Sequence, residues 1–169
     1  VMEVPRIQTL TQDREQYEKE MENIKKFVEY QMLERILKSE MLPGWKHWKI
    51  IYQLEVFGQK ESEVWSVDFS LNDPKIQKGS LGKINLYEGI ASSSLLDLIE
   101  EKTSWDYLAL CGNYRTFNNI YRVTNGNYEF YPLDNIDYVL EPLMEIFPTN
   151  QNMTREKFMK DIRKWKKKS

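Results

Sequence analysis

The chain has 169 residues, of which 41% are hydrophobic and 13% aromatic, and its formal net charge is −2. This length fits one domain that can bury a substantial core, and the composition excludes a disordered chain. The single cysteine, Cys111, excludes an internal disulfide and a zinc site built from several cysteines. Its apolar neighbours predict a buried structural thiol.

The cellular compartment is predicted from the absence of two kinds of segment. No run of about 18 apolar residues is present, which argues against a transmembrane helix. The N-terminus, which begins at Val1, lacks the basic and apolar regions of a signal peptide. We therefore expect a reducing, cytoplasmic compartment. The start at valine also suggests a fragment or a processed product of a longer protein.

A long amphipathic helix is predicted near the N-terminus, over residues 12–41. Thr11 is a suitable N-cap, and Pro43-Gly44 is expected to end the segment. Apolar residues recur in it at spacings of three and four, which predicts one helix or two helices with a bend between them. The first half carries a narrow apolar stripe formed by Tyr17, Met21, Ile24 and Val28. This stripe predicts either an interface with another domain or subunit, or packing on the chain's own sheet.

A sheet with one inserted helix is predicted over residues 45–131. Apolar and polar residues alternate in Trp48–Val56 and in Val64–Ser70, as they do in half-buried strands. The polar turn Gly58–Glu63 joins these two segments into an antiparallel hairpin. The loop that follows, up to Ser80, is expected to hold a short edge strand.

Two further strands are predicted on either side of the inserted helix. The first is Lys83–Tyr87, after which Ser92 to Ser94 supply an N-cap for an apolar helix over residues 94–101. The second is the nearly continuous apolar run Trp105–Cys111, which predicts a central strand covered on both faces. Gly112-Asn113 is suited to a bulge or a turn.

The last part of the chain completes the predicted fold. Asn125-Gly126 gives the strongest hairpin signal in the sequence and joins the predicted strands Tyr114–Val123 and Tyr128–Tyr131. Helices are predicted over residues 134–168. The fold class is α+β, with a mostly antiparallel, twisted sheet of about five to six strands, a long N-terminal helix, and helices that cover one face and close the C-terminus. All 169 residues form one predicted domain.

The charge is unevenly distributed, because the segment from Arg155 to Lys168 holds eight basic residues and only two acidic ones. Such a tail could attract phosphates or an anionic membrane surface. The simpler interpretation is a solvated tail whose cations complement the C-terminal end of a helix dipole.

The sequence contains no catalytic motif, and we predict no catalytic residue. The lone histidine, His47, has no carboxylate motif beside it, which argues against a metal site and against Ser-His-Asp or Cys-His catalysis. No glycine-rich phosphate-binding motif is present. The acidic body of the chain argues against nucleic-acid binding. We therefore predict that the chain is not itself an enzyme and uses no metal or cofactor.

The order of the predicted elements resembles the sterol carrier protein family, often called SCP2-like. The matching segments are Val64–Phe69, Lys83–Leu86, Ser94–Ile99 and Trp105–Asn113. The last of these ends in Gly-Asn, as the corresponding strand of the family does. The resemblance covers about Trp48–Asn113.

This resemblance implies a non-catalytic domain that binds a lipid, an acyl chain or another apolar small molecule in a cavity between sheet and helices. The residues expected to line that cavity are Trp65, Phe69, Leu86, Leu95, Leu98 and Trp105.

Similar domains are also found appended to larger enzymes, including hydrolases of the metallo-β-lactamase fold. The alternative is therefore an accessory or dimerisation domain of a larger hydrolase, with no ligand of its own. In that case the partner is a second copy or another domain of the parent chain. The interface would be formed by Tyr17, Met21, Ile24 and Val28.

Overall fold

A five-stranded sheet forms the centre of the structure. The computed structural model describes residues 13–111, 114–118, 121–124, 127–130 and 146–148. The strands of the sheet lie in the order β3-β2-β1-β4-β5. Their bounds are Ile51–Phe57 for β1, Ser62–Asp68 for β2, Ile76–Lys78 for β3, Leu86–Ala91 for β4 and Tyr114–Asn118 for β5.

The sheet is mostly antiparallel, as predicted, but β1 and β4 are parallel neighbours. The parallel pair arises because the chain crosses back from the β3 edge to the far side of β1. Asn85 fixes the start of β4 beside the start of β1. Its backbone N–H donates to the carbonyl of Ile51 at 3.1 Å, and its side-chain Oδ1 accepts from the N–H of Ile51 at 2.6 Å.

One side of the sheet is packed against helices and holds the core. Alternate residues of β1, namely Tyr52, Leu54 and Val56, are fully buried there. Trp65 of β2 lies opposite Leu54, and Leu86 of β4 lies opposite Tyr52. Such cross-strand apolar pairs on a buried face stabilise a sheet. We call this the helix-facing side.

The N-terminal helix lies over the helix-facing side and consists of three segments. These are α1 (Arg14–Lys26), a π-helical segment (Phe27–Met32) and α2 (Leu33–Lys38). Asp13 is the N-cap, because its carboxylate accepts the N–H of Gln16 at 2.8 Å. The prediction of a cap at Thr11 was therefore wrong, and Thr11 itself lies outside the described residues.

The π-helical segment follows from the spacing of buried residues in this helix. Glu20, Ile24, Val28, Met32 and Ile36 are all buried and follow one another at intervals of four. An α-helix has 3.6 residues per turn, so residues four apart drift around its axis by roughly 40° at each step. A π-helix bonds i to i+5 and therefore holds more residues per turn. The π segment thus removes much of the drift and keeps these side chains directed at the sheet.

The helix ends earlier than predicted. Ser39 has extended backbone angles, φ −69° and ψ 134°, and terminates α2. A short helix, α3 (Leu42–His47), then begins with Pro43 in its first turn. The expectation that Pro43-Gly44 ends a helix was therefore wrong. Proline is tolerated in a first turn because the N–H it lacks has no partner there.

The segment Trp105–Cys111 is a helix, α5, and not the predicted central strand. Its start is capped by Ser104, whose Oγ accepts the N–H of Tyr107 at 3.2 Å, and Asp106 lies in its first turn. A short apolar run fits a buried strand and a buried helix equally well, and the cap at Ser104 favours the helix.

The preceding helix, α4 (Ser92–Ile99), starts two residues before the predicted one. The serines do not cap it as predicted. Ala91 is the N-cap residue, and no side-chain hydrogen bond is made from that position. The hydroxyl of Ser92 donates instead to Glu20 of α1.

The hairpins of the sequence analysis are confirmed with shifted bounds. β1 and β2 pair antiparallel, and β3 is the expected edge strand. The predicted strand Tyr114–Val123 is divided into β5 and β6 (Tyr121–Thr124). β6 pairs antiparallel with β7 (Asn127–Phe130) in a separate two-stranded sheet. The predictions for Gly112-Asn113, for the basic tail and for most of residues 134–168 lie outside the described residues.

Candidate functional site

The six residues predicted to line a ligand cavity all lie in the core. Trp65, Phe69, Leu86, Leu95, Leu98 and Trp105 belong to one cluster of buried side chains between the sheet and the helices. Phe69 and Trp105 each pack edge to face against a neighbouring ring. The centroid of Phe69 lies 5.3 Å from that of Trp45, and the centroid of Trp105 lies 5.1 Å from that of Tyr114.

A cleft of about 520 Å³ opens beside this core, between the N-terminal helix and the β3 edge of the sheet. Trp65 belongs both to the core and to the wall of this cleft. The other residues of the wall come from the π segment, α2, β3 and the loop before β3. They are Val28, Glu29, Leu33, Asp73, Pro74, Lys75, Ile76 and Lys78.

The β3 edge is held in place by the residues that end it. Gly79 has φ +94°, a conformation that favours glycine, and its N–H donates to the carbonyl of Val64 at 2.7 Å. The hydroxyl of Ser66 donates to the carbonyl of Gly79 at 2.7 Å. These bonds end the three-residue strand and place Ile76 and Lys78 along the cleft.

The cleft combines an apolar floor with a charged rim. Val28, Trp65 and Pro74 are buried at its floor. The side chains of Lys75 and Lys78 at the rim are 71% and 72% exposed. A site of this size, mostly apolar with a few polar groups, is typical of small-molecule binding.

A carboxylate shared by two lysines joins the helix to the sheet next to the cleft. Glu63 of β2 lies 2.6 Å from Nζ of Lys25 on α1 and 3.2 Å from Nζ of Lys78 on β3. Burial acts to raise the pKa of Glu63, but hydrogen bonds and charge from the two lysines outweigh it and hold that pKa below its ordinary value. Glu63 is therefore ionised at neutral pH.

A second carboxyl is buried on the helix-facing side of the sheet. Glu88 of β4 is only 3% exposed and accepts a hydrogen bond of 2.6 Å from the hydroxyl of Tyr52 on β1. Burial raises the pKa of Glu88 to about 7, and the hydrogen bond from Tyr52 partly offsets that rise. This residue was missed in the sequence, because the predicted strand Lys83–Tyr87 ended before it, whereas β4 continues to Ala91.

The stripe predicted as an interface is covered by the chain itself. Tyr17, Met21, Ile24 and Val28 are all buried in the core cluster. The exposed apolar residues of the same helix are Tyr30 and Leu37. A partner could therefore contact the predicted stripe only if α1 moved away from the sheet. The accessory role in a larger hydrolase stays a prediction.

The described residues hold neither a metal-binding cluster nor a membrane-spanning helix. No three or more His, Cys, Asp or Glu side chains in this part of the chain are grouped so that they could hold a metal ion. Within the same residues, no helix has the length and apolar character needed to cross a membrane.

The sequence matches no protein-family model and no curated protein. Among the solved structures that the chain matches are three sterol carrier proteins. Sterol carrier protein 2 like 2 from Aedes aegypti has 14% identity and a TM-score of 0.47, and the match covers 60% of this chain and 87% of that one. Sterol carrier protein 2 from Yarrowia lipolytica has 19% identity and a TM-score of 0.42, with 67% and 88% covered. Sterol carrier protein domain 2 of Helicoverpa armigera has 15% identity and a TM-score of 0.46, with 56% and 75% covered.

Proposed function

We propose that this chain is a non-catalytic domain that binds an apolar ligand, a lipid or acyl chain, in the cleft beside Trp65. The observation that supports the proposal most directly is the cleft itself, with its volume of about 520 Å³ and its apolar floor. That volume lies within the range of about 300–1,000 Å³ that is usual for ligand sites. Trp65 is also one of the residues expected from the sequence to line a cavity.

The proposed ligand lies with its chain along the floor. Contacts with Val28, Trp65 and Pro74 remove its methylene groups from water, and each buried methylene contributes about 0.8 kcal/mol. The polar end of the ligand stays at the rim, near Lys75 and Lys78, where water remains accessible. Because these lysines are exposed, their attraction for a charged group adds little to the affinity.

The proposal is tested by filling the cleft. Leu33 borders the cleft, whereas Leu37 is exposed on the same helix and does not line it. Leu33→Trp is expected to weaken binding of dodecanoate about tenfold or more, because the larger side chain occupies the site. Leu37→Trp is the matched control and is expected to leave binding unchanged.

Isothermal titration calorimetry with dodecanoate gives the affinity and the heat-capacity change, which is expected to be negative because apolar surface is buried. Native mass spectrometry of the purified chain, beside a solvent extract of the same sample, identifies any lipid that copurifies with it. The proposal is contradicted if the unmodified chain neither binds dodecanoate nor copurifies with a lipid. Equal binding by the two tryptophan variants places the ligand elsewhere.

A further inference from the structure

The Tyr52–Glu88 pair is the starting point, because it places an ionisable group inside an apolar core. Glu88 lies between Leu54 of β1 and Thr116 of β5 in the register of the sheet. Leu54 in turn lies opposite Trp65, so one row of side chains leads from the cleft to the buried carboxyl. A carboxylate buried without an ion pair costs several kcal/mol, so such a group favours its neutral form.

Within the part of the chain that the structure describes, no basic group faces Glu88 from the elements packed around it. On the helix-facing side, β1 contributes Tyr52 and β5 contributes Tyr114, and neither is a basic residue. The only charged residue of α4, Asp97, is exposed. The carboxylate of Glu20 on α1 accepts hydrogen bonds from Ser92 and Gln16. Among the described residues, an ionised Glu88 has only the Tyr52 hydroxyl to stabilise it.

We propose that the Tyr52–Glu88 pair is a proton-sensitive device that controls the packing of the helices on the sheet. With Glu88 protonated, the pair is neutral and the core around it stays closed. When the proton leaves, the carboxylate requires water, and the contacts of α4 and its neighbours with β4 loosen to admit it. This inference does not depend on the proposed ligand.

The direction of the effect follows from burial. Burial raises the pKa of Glu88 from its ordinary 4.5 to about 7, so the closed packing is most favoured below pH 4.5, weakens as pH rises towards 7, and levels off above that value. Tyr52 donates its hydrogen bond to the carboxyl and thereby lowers that pKa, so loss of the hydroxyl moves the transition to higher pH. Glu88→Gln is therefore expected to abolish the pH dependence of the packing, and Tyr52→Phe to move it to higher pH.

The experiment measures amide hydrogen exchange of the full chain from about pH 6 to pH 8. Each rate is expressed as a protection factor, relative to an unstructured peptide at the same pH. In the unmodified protein, protection in β4 and α4 is expected to fall about tenfold over this range, which corresponds to about 1.4 kcal/mol. In Glu88→Gln, which resembles the neutral acid at every pH, protection is expected to stay constant.

A second tyrosine–glutamate pair provides the matched control. Glu55 of β1 accepts a 2.8 Å hydrogen bond from Tyr87 of β4, but it lies on the opposite side of the sheet and is only partly buried. Glu55→Gln is expected to keep the pH-dependent loss of protection. Tyr52→Phe is expected to shift the midpoint of that loss to higher pH, which supplies a test even if Glu88→Gln fails to fold. The proposal is overturned if protection in the unmodified protein does not change with pH. It is also overturned if Glu88→Gln loses protection with pH as the unmodified protein does, or if Tyr52→Phe leaves the midpoint of the loss unshifted.

Discussion

The hydroxyl of Ser92, the first residue of α4, donates a 2.6 Å hydrogen bond to Oε2 of Glu20 on α1. Both residues are buried, and 72 positions separate them in the sequence. The bond joins two helices that lie side by side over the sheet. Loss of one partner of a buried hydrogen bond leaves the other without compensation, which costs free energy.

Ser92→Ala is therefore expected to lower the free energy of unfolding by about 1–3 kcal/mol. Ser94→Ala, on the same helix but only half-buried, is the control and is expected to change it by less than about 0.5 kcal/mol. Urea denaturation followed by circular dichroism measures both values. Equal effects of the two substitutions would mean that the Ser92–Glu20 bond adds no specific stability.

Global stability is also expected to depend on the protonation of Glu88. Its pKa is raised to about 7 in the folded chain from an ordinary 4.5, so its favourable contribution is complete below pH 4.5 and is lost as pH rises to 7. The loss is on the order of 3 kcal/mol. The measurement is the difference in unfolding free energy between the unmodified chain and Glu88→Gln across this range. A difference that does not change with pH contradicts the prediction.

Glu63 is expected to have the opposite pH dependence. Its pKa is depressed by Lys25 and Lys78 despite partial burial, so its contribution is present above the ordinary value of 4.5 and is lost as pH falls below it. Glu63→Gln is expected to lower stability at pH 7 by about 1 kcal/mol and by less at pH 3. Lys78→Ala serves for comparison and is expected to have a smaller effect, because Lys25 still pairs with the carboxylate. Thermal unfolding at both pH values tests this, and an effect of Glu63→Gln that is larger at pH 3 is the contrary outcome.

Gly58 is expected to tolerate no side chain, because the ring of Tyr17 lies against it. A Cβ atom at this position would be 2.6 Å from Cδ2 of Tyr17, whose ring is held in the core. Gly58→Ala is therefore expected to lower stability by about 1–3 kcal/mol through overpacking. Gly82→Ala separates this clash from backbone strain, because Gly82 has φ +83° and open space around it. Chemical denaturation is expected to show a smaller loss of stability for Gly82→Ala than for Gly58→Ala. A larger loss for Gly82→Ala contradicts the packing argument.

The parts of the fold that were predictable from the sequence are those with a strong local pattern. Two hairpins were predicted correctly, one from the alternation in Trp48–Val56 and one from Asn125-Gly126. Both patterns depend only on residues that are neighbours in the sequence. The segment Trp105–Cys111 was assigned wrongly for the complementary reason. An apolar run carries no period that distinguishes a strand from a helix, and the only local helix signal is the cap at Ser104, just before the run.

The cleft was less predictable, because its wall is assembled from segments that are distant in the sequence. Trp65 was expected to line a cavity, but Leu33 and Pro74 were not, and nothing in their local sequence relates one to the other. The parallel pairing of β1 with β4 was missed for the same reason. It depends on Asn85 meeting Ile51 after the chain has crossed the sheet.

The π-helical segment has a consequence for how this chain should be aligned with other sequences. A wider turn is the usual result of one extra residue in an α-helix, so we expect sequences without this segment to be one residue shorter between Phe27 and Met32. Alignment methods ordinarily penalise a gap inside a helix. A one-residue gap between Phe27 and Met32 aligns Ile24, before the π segment, and Ile36, after it, with the equivalent core positions of sequences that lack the segment.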